Sequence, residues 1–311
     1  MKIKTHLFLT ALALLSSPLA LACTEDGKGG FFPVNDLYIP ANSFAGGTLS
    51  ESDFTNSITR AEKIYSPVFA TQGRVYKVIP KWTDGTVNAY AKRNGNTSEI
   101  YMFGGLARHP KMTGDAFELV ICHETGHHLG GAPKVRNLFR MNAWASNEGQ
   151  ADYFATLKCA REMWKSDNNA EIVAKMDIPT VVTEKCQKAF DVTNEIAMCQ
   201  RSAMAGKALG DTLAEMNRGS ETDFEKPDPS VVTKMFDAHP AAQCRLDTYV
   251  AGAVCAKSKD LALSDTDPTI GTCAQENGDV LGVRPLCWYV PFDKNNPPST
   301  SSWPSGRLSR R

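Results

Sequence analysis

Apolar positions recur along this chain in two rhythms, and the switches between them divide it into elements. Phe54, Ile58, Ala61 and Tyr65 stand three or four residues apart between Ser50 and Ser66, the repeat of a helix that buries one face, and Ser50 or Ser52 can cap it. Val75 to Ile79 alternates and is β-branched, which predicts a strand. Thr86 to Ala91 and Glu99 to Phe103 predict two more, joined by the polar Lys92-to-Ser98 turn with Asn94-Gly95. A helix follows over Asp115 to Leu129, stopped by Gly130, Gly131 and Pro133, and another over Ala145 to Trp164. Glu171 to Met216 holds helical patches broken at Pro179, Gly219 to Ser230 is a polar loop, and a last helix follows Asp237-Ala238-His239-Pro240 as far as Ala256. The mixture predicts an α+β fold, mostly helical with a small sheet.

The two ends read differently. Lys2 and Lys4 precede an apolar run from Leu7 to Leu15 and the small residues around Ala20-Leu21-Ala22, the pattern of a secretory signal peptide over residues 1–22. No later stretch approaches the ~20 apolar residues of a membrane helix, so the mature chain is expected to carry no transmembrane segment and to be periplasmic or secreted. Residues 23–42 read as an irregular arm rich in Gly, Pro and aromatics, and residues 295–311 as a disordered tail. Between them the expectation is one main domain over 23–256, with a helical insertion at about 165–230, followed by a cysteine-containing segment over 257–294.

Without Lys2 and Lys4, the 34 basic and 34 acidic residues become 32 and 34, a formal charge of −2 that gives no footprint for nucleic acid. The nine cysteines point to an oxidising compartment. Cys122, inside the Asp115-to-Leu129 helix, reads as a buried free thiol; the other eight, Cys23 included, then suffice for four disulfides. On that parity free export is favoured over the alternative, a lipoprotein anchored through Cys23.

The chemistry concentrates at His123-Glu124-Thr125-Gly126-His127. Histidines four apart share a helix face, and the glutamate beside the first can reach a water held between them. Zinc held by two histidines needs a third protein ligand and an open position for water. A third histidine after the Gly130 of a metzincin pattern would fall at Pro133, which has no donor atom, whereas Glu148 at the start of an independent helix has one. Asp152, one turn after Glu148, suits the carboxylate that fixes the tautomer of a ligating histidine. His128 points about 100° away from His127 and reads as structural, as do Tyr90, Tyr101 and Trp144.

His-Glu-x-x-His followed by Glu-x-x-x-Asp resembles the gluzincin metallopeptidases related to the CAAX prenyl protease and the HtpX heat-shock protease, peptidase family M forty-eight. Asn88-Ala89-Tyr90-Ala91 resembles that family's Asn-Ala-Phe-Ala strand, Ile100 to Leu106 its following edge strand and Gly-Leu turn, and His239-Pro240 with Arg245 its late His-Pro…Arg element. The resemblance covers Asn88 to Leu246 and implies a zincin-like domain with one Zn2+ on His123, His127 and Glu148, Glu124 as general base and Asp152 behind His123. It further implies His239 as a stabiliser of the tetrahedral intermediate and Arg245 as a support for His239 or Glu148. The family's usual membrane helices are missing, which places the chain with soluble exported forms, and its cysteine-rich segments have no counterpart. The expected activity is zinc endopeptidase hydrolysis of extended or unfolded protein, by a zinc-bound water that Glu124 activates. Glu99, Ile100, Tyr101, Met102 and Phe103 are expected to offer an edge strand to the substrate. Two other functions compete: a binding or chaperone-like envelope protein that keeps the zinc fold without turnover, and a disulfide-stapled structural protein whose motif is accidental.

Overall fold

The computed structural model describes residues 30–43, 47, 49–136 and 142–291; the expected signal peptide, Cys23 and the tail from Asn295 lie outside them. The first helix, α1 (Glu51–Ala70), is capped by Ser50, whose Oγ accepts from the Asp53 amide while the Asp53 carboxylate accepts from the Ser50 amide. Its apolar face, with Phe54, Ile58, Ala61, Tyr65 and Phe69 buried, packs on a three-stranded sheet of β1 (Val75–Lys81), β2 (Ala89–Asn94) and β3 (Thr97–Phe103). Inward-facing residues alternate along the strands as predicted: Tyr76 and Val78, Ala89 and Ala91, Ser98, Ile100 and Met102 are buried.

The strand order corrects one expectation. β1 pairs parallel with β3, Val75 opposite Thr97, and β2 pairs antiparallel with its other side, Ala89 opposite Met102. Glu99, Ile100, Tyr101, Met102 and Phe103 therefore lie on the central strand, and both of its hydrogen-bonding edges are already used. Local periodicity marks a strand but not its neighbours, and here a non-local parallel partner takes the edge. The sheet's outer strands are β1 and β2.

After the short α2 (Gly104–Ala107) comes α3 (Gly114–Leu129), with Thr113 as its cap and Ala116 to His128 buried throughout. A helix buried on all sides belongs at the centre of the domain. It packs on the sheet, on α1 and on the helices that follow. A two-stranded hairpin, β4 (Lys134–Arg136) and β5 (Asn142–Ser146), comes next. The expected helix from Ala145 starts three residues later, because Ala145 and Ser146 complete β5 and Asn147 is the cap. It runs as α4 (Glu148–Phe154), a π-helical turn (Ala155–Cys159) and α5 (Ala160–Met163). Then α6 (Asn169–Val173), α7 (Thr180–Ala189) and α8 (Thr193–Met216) form the helical stretch, and α9 (Ala242–Val254) packs across α8 and α4. Residues 257–291 are loop-rich, as expected.

Four disulfides join described residues: Cys122–Cys159, Cys186–Cys199, Cys244–Cys287 and Cys255–Cys273. Cys122 is thus not a free thiol. Its helix crosses the π-helical turn with a Cα separation of 5.4 Å to Cys159, a tertiary proximity that sequence parity could not see. The four pairs use every cysteine except Cys23, so parity gives no reason to place Cys23 in a disulfide. Among the described residues no helix is long and apolar enough to cross a membrane.

Candidate metal centre

Two close approaches bring the motif helix onto α4. Gly126 lies between the two motif histidines, where an added Cβ would stand 2.9 Å from the Ala151 carbonyl oxygen, so a glycine lets the backbones meet. The chain between the helices is tied back on both sides: Gln150 donates to the Gly130 carbonyl at 2.6 Å and Ser146 Oγ donates to the Gly131 carbonyl at 2.7 Å. Asn147 accepts from the Gln150 amide at 3.0 Å and donates to Asp237 at 3.2 Å, fixing the start of α4 against the segment that carries His239.

This crossing gathers His123, His127 and Glu148, whose ligand atoms all lie within 4.8 Å of one another, and all three side chains are fully buried. His123 Nε2 is 3.2 Å from Glu148 Oε2, and His127 Nε2 is 3.8 Å from Glu148 Oε1. Donors about 2.0–2.1 Å from one tetrahedral ion stand roughly 3.4 Å apart, between the two separations to Glu148, so the group could hold a metal ion. His123 Nε2 and both Glu124 oxygens are buried and have no hydrogen-bond partner among the described residues. Leaving such atoms unsatisfied is costly, and a cation with its water would satisfy them. Glu124 Oε2 is 3.9 Å from His127 Nε2.

Each histidine is aimed from behind. His123 Nδ1–H donates to Asp152 Oδ1 at 2.7 Å, and His127 Nδ1–H donates to the Ser146 carbonyl at 2.8 Å. Both Nε2 atoms are thereby turned toward Glu148. Asp152 is held in turn by Arg245, whose Nε and Nη2 donate to its two oxygens at 2.8 Å each, and by the Tyr249 hydroxyl. Arg245 therefore supports Asp152, a correction to its expected place on His239 or Glu148. A guanidinium fork matches two carboxylate oxygens, and Asp152 is the carboxylate it meets. Tyr249 has no counterpart among the sequence-derived site residues, although its place one helical turn after Arg245 was a legible signal. His239 stands at the rim, partly buried, with Nε2 3.6 Å from Glu148 Oε2. His128 stacks on Trp144 at 4.6 Å, and Tyr90 stacks on Tyr101 at 4.5 Å, so these four pack.

The electrostatics oppose one another. Burial pulls His127 down to about 4. Burial acts the same way on His123, but the Asp152 and Glu148 carboxylates outweigh it and lift that imidazole to about 9. Burial pushes Glu124 up to about 8. Burial also opposes charge on Glu148, yet His239, His127 and His123 hold its carboxyl well below the usual range. A divalent cation among these groups would favour neutral imidazoles and an ionised Glu124, the protonation states that ligation and base catalysis need.

Comparison of the chain with protein-family models, with curated proteins and with solved structures finds no match.

Proposed function

We propose that this protein is a zinc-dependent endopeptidase of the gluzincin type, resembling the HtpX and CAAX prenyl protease family, that acts on extended or unfolded protein outside the cytoplasm. The convergence of His123, His127 and Glu148 around a common point, with an unpartnered Glu124 carboxyl beside it, carries this reading. A zincin-like arrangement of the α3 and α4 helices and an export signal at residues 1–22 belong to the same proposal.

When bound, the ion supplies Lewis acidity, which polarises the scissile carbonyl and acidifies water. The chain's own residues do the rest. Glu124 removes a proton from the attacking water and returns it to the departing nitrogen. His239, at the rim, donates its Nε2 proton to the oxygen on which charge develops, and one such donor is worth about 3 kcal/mol in comparable sites. Asp152 and the Ser146 carbonyl keep the two imidazoles in the tautomer that presents Nε2. Substrate main chain is read by the outer edge of β2 rather than by β3, because β3 is paired with a strand on both sides.

The test compares the wild type with Glu124→Gln. About one zinc per chain is expected in both by elemental analysis, since the substitution spares the ligands, with hydrolysis of casein by the wild type alone. Equal hydrolysis by both proteins would remove Glu124 from the role of base. Zinc without hydrolysis in either favours the binding role, and no zinc in either ends the metal reading.

A further inference from the structure

The irregular arm that precedes α1 enters the same cleft. Its main chain is bonded group by group from Gly30 to Phe32. The Gly30 carbonyl accepts from His239 Nε2–H at 2.5 Å. The Phe31 amide donates to the Ala89 carbonyl at 2.7 Å, and the Phe31 carbonyl accepts from Arg245 Nη1 at 2.7 Å. The Phe32 amide donates to Asn88 Oδ1 at 3.0 Å while its carbonyl accepts from Asn88 Nδ2 at 3.1 Å.

We infer that Gly30, Phe31 and Phe32 occupy the cleft as a peptide substrate does, and that the protein hydrolyses its own Gly30–Phe31 bond. The inference rests on the peptidase reading above. All five contacts are to main-chain groups, the way an edge strand and its flanking side chains read an extended peptide whatever its sequence. The carbonyl that ends on His239 is the one a scissile bond must present, and His239 Nε2 is 3.6 Å from the candidate ligand Glu148. Beyond that bond, the Phe31 ring is fully buried, edge-on to His123 at 4.9 Å and under the Arg245 guanidinium at 4.1 Å, so a pocket beside a candidate ligand is filled by the side chain that follows the cut. An arm that served only to fill the core would account for burial of Phe31 and Phe32 but not for the Gly30 carbonyl on His239. Gly30 itself is closely fitted: an added Cβ would stand 2.5 Å from both the Ala89 carbonyl oxygen and Asn88 Oδ1.

The step balances with one water. Water adds to the Gly30 carbonyl carbon and gives a proton to Glu124, and His239 donates to the developing oxyanion. The Gly30–Phe31 carbon–nitrogen bond then breaks, and Glu124 protonates the Phe31 nitrogen. The products are a Gly30 carboxyl and a chain that begins with a free amine on Phe31. Downstream the arm stays fastened, since Ile39 donates to the Gly85 carbonyl at 2.7 Å. Asn35 and Leu37 are also bonded to Val87, so the short stretch from Phe32 to Asn35 is the tether on which the new terminus withdraws to admit other substrates.

The chain is purified metal-free, zinc is added, and intact mass is followed. The wild type is expected to shorten to a terminus at Phe31 with a first-order rate that dilution does not change. Glu124→Gln should bind the same zinc and stay whole, and Gly30→Val should be cut about 100-fold more slowly, the scale of a 1 Å misplacement. Hydrogen exchange on the metal-free chain gives a second measure: the Phe31 and Phe32 amides should be protected, and Asn88→Ala should release Phe32. A zinc-loaded wild type left whole at this bond, a rate that falls in proportion to dilution, or freely exchanging amides would each overturn the inference. Casein separates the two proposals: digestion by a chain that never cuts itself sinks this inference alone, while a zinc-loaded chain inert toward both bonds counts against both.

Discussion

Removing the Asp152 carboxylate should cost the protein stability even with no metal present. That carboxylate accepts from His123, twice from Arg245 and once from Tyr249, and all four residues are at most 1% exposed. In Asp152→Ala the Arg245 guanidinium stays buried without its bonded anion, and breaking a buried ion pair from one side costs about 3–5 kcal/mol. Against a total stability of roughly 5–15 kcal/mol, that is about a fifth of the margin or more. His123 also loses the acceptor that fixes its tautomer, so zinc affinity should drop about 10–100-fold. Urea unfolding of the metal-free chain, followed by tryptophan fluorescence, reads the first effect, and chelator competition reads the second. Adding Arg245→Met to Asp152→Ala should restore much of the lost stability, because the stranded charge is gone. Unfolding within about 0.5 kcal/mol of the wild type, the range of an ordinary surface change, would refute the buried network as described.

Two further outcomes follow from groups outside the site. Replacing Cys122 and Cys159 together by alanine opens a cross-link with a sequence separation of 37 residues, and should lower stability by roughly 4 kcal/mol in urea; an unchanged midpoint would contradict this. Asp167 is partly buried, which disfavours its charge, but bonds from Arg60 and Arg201 prevail and hold its pKa below 3.8. Its contribution is therefore complete above that value and is lost as pH falls through the lower folded one, so Asp167→Asn should flatten the stability-against-pH curve below about pH 4 in acid titration by circular dichroism.

What the sequence disclosed was what neighbours along the chain decide. Ser50 or Ser52 announces a cap, Phe54, Ile58, Ala61 and Tyr65 announce a buried face, and His123, Glu124 and His127 share a helix turn by geometry alone. Glu148 and Asp152 were legible because they stand four apart on one helix, although Ala145 and Ser146, read as that helix's start, belong to a strand. The rest depends on contacts between distant segments. Nothing in Glu99 to Phe103 reveals that Val75 to Lys81 lies alongside in parallel, and nothing in Cys122 reveals that Cys159 lies across from it. Arg245 was tied to the site only by the resemblance of the His-Pro…Arg element, and its partner was set by which carboxylate the α9 crossing brings within reach. The arm from Gly30 read as irregular, which it is, and only the tertiary fold shows what each of its amides and carbonyls meets.

The Cys122–Cys159 bond fastens the helix bearing both motif histidines to the rod that begins at Glu148. The three candidate ligands thus come from two pieces of backbone joined by a covalent rivet. Where thiols are kept reduced, the pieces would be held together by packing and by the bonds that Gln150 and Ser146 make to the end of the motif helix, and the grip on metal would be looser. If the chain is exported as proposed, oxidation outside the cytoplasm would set the rivet and couple the competence of the proposed centre to the side of the membrane on which the chain finds itself.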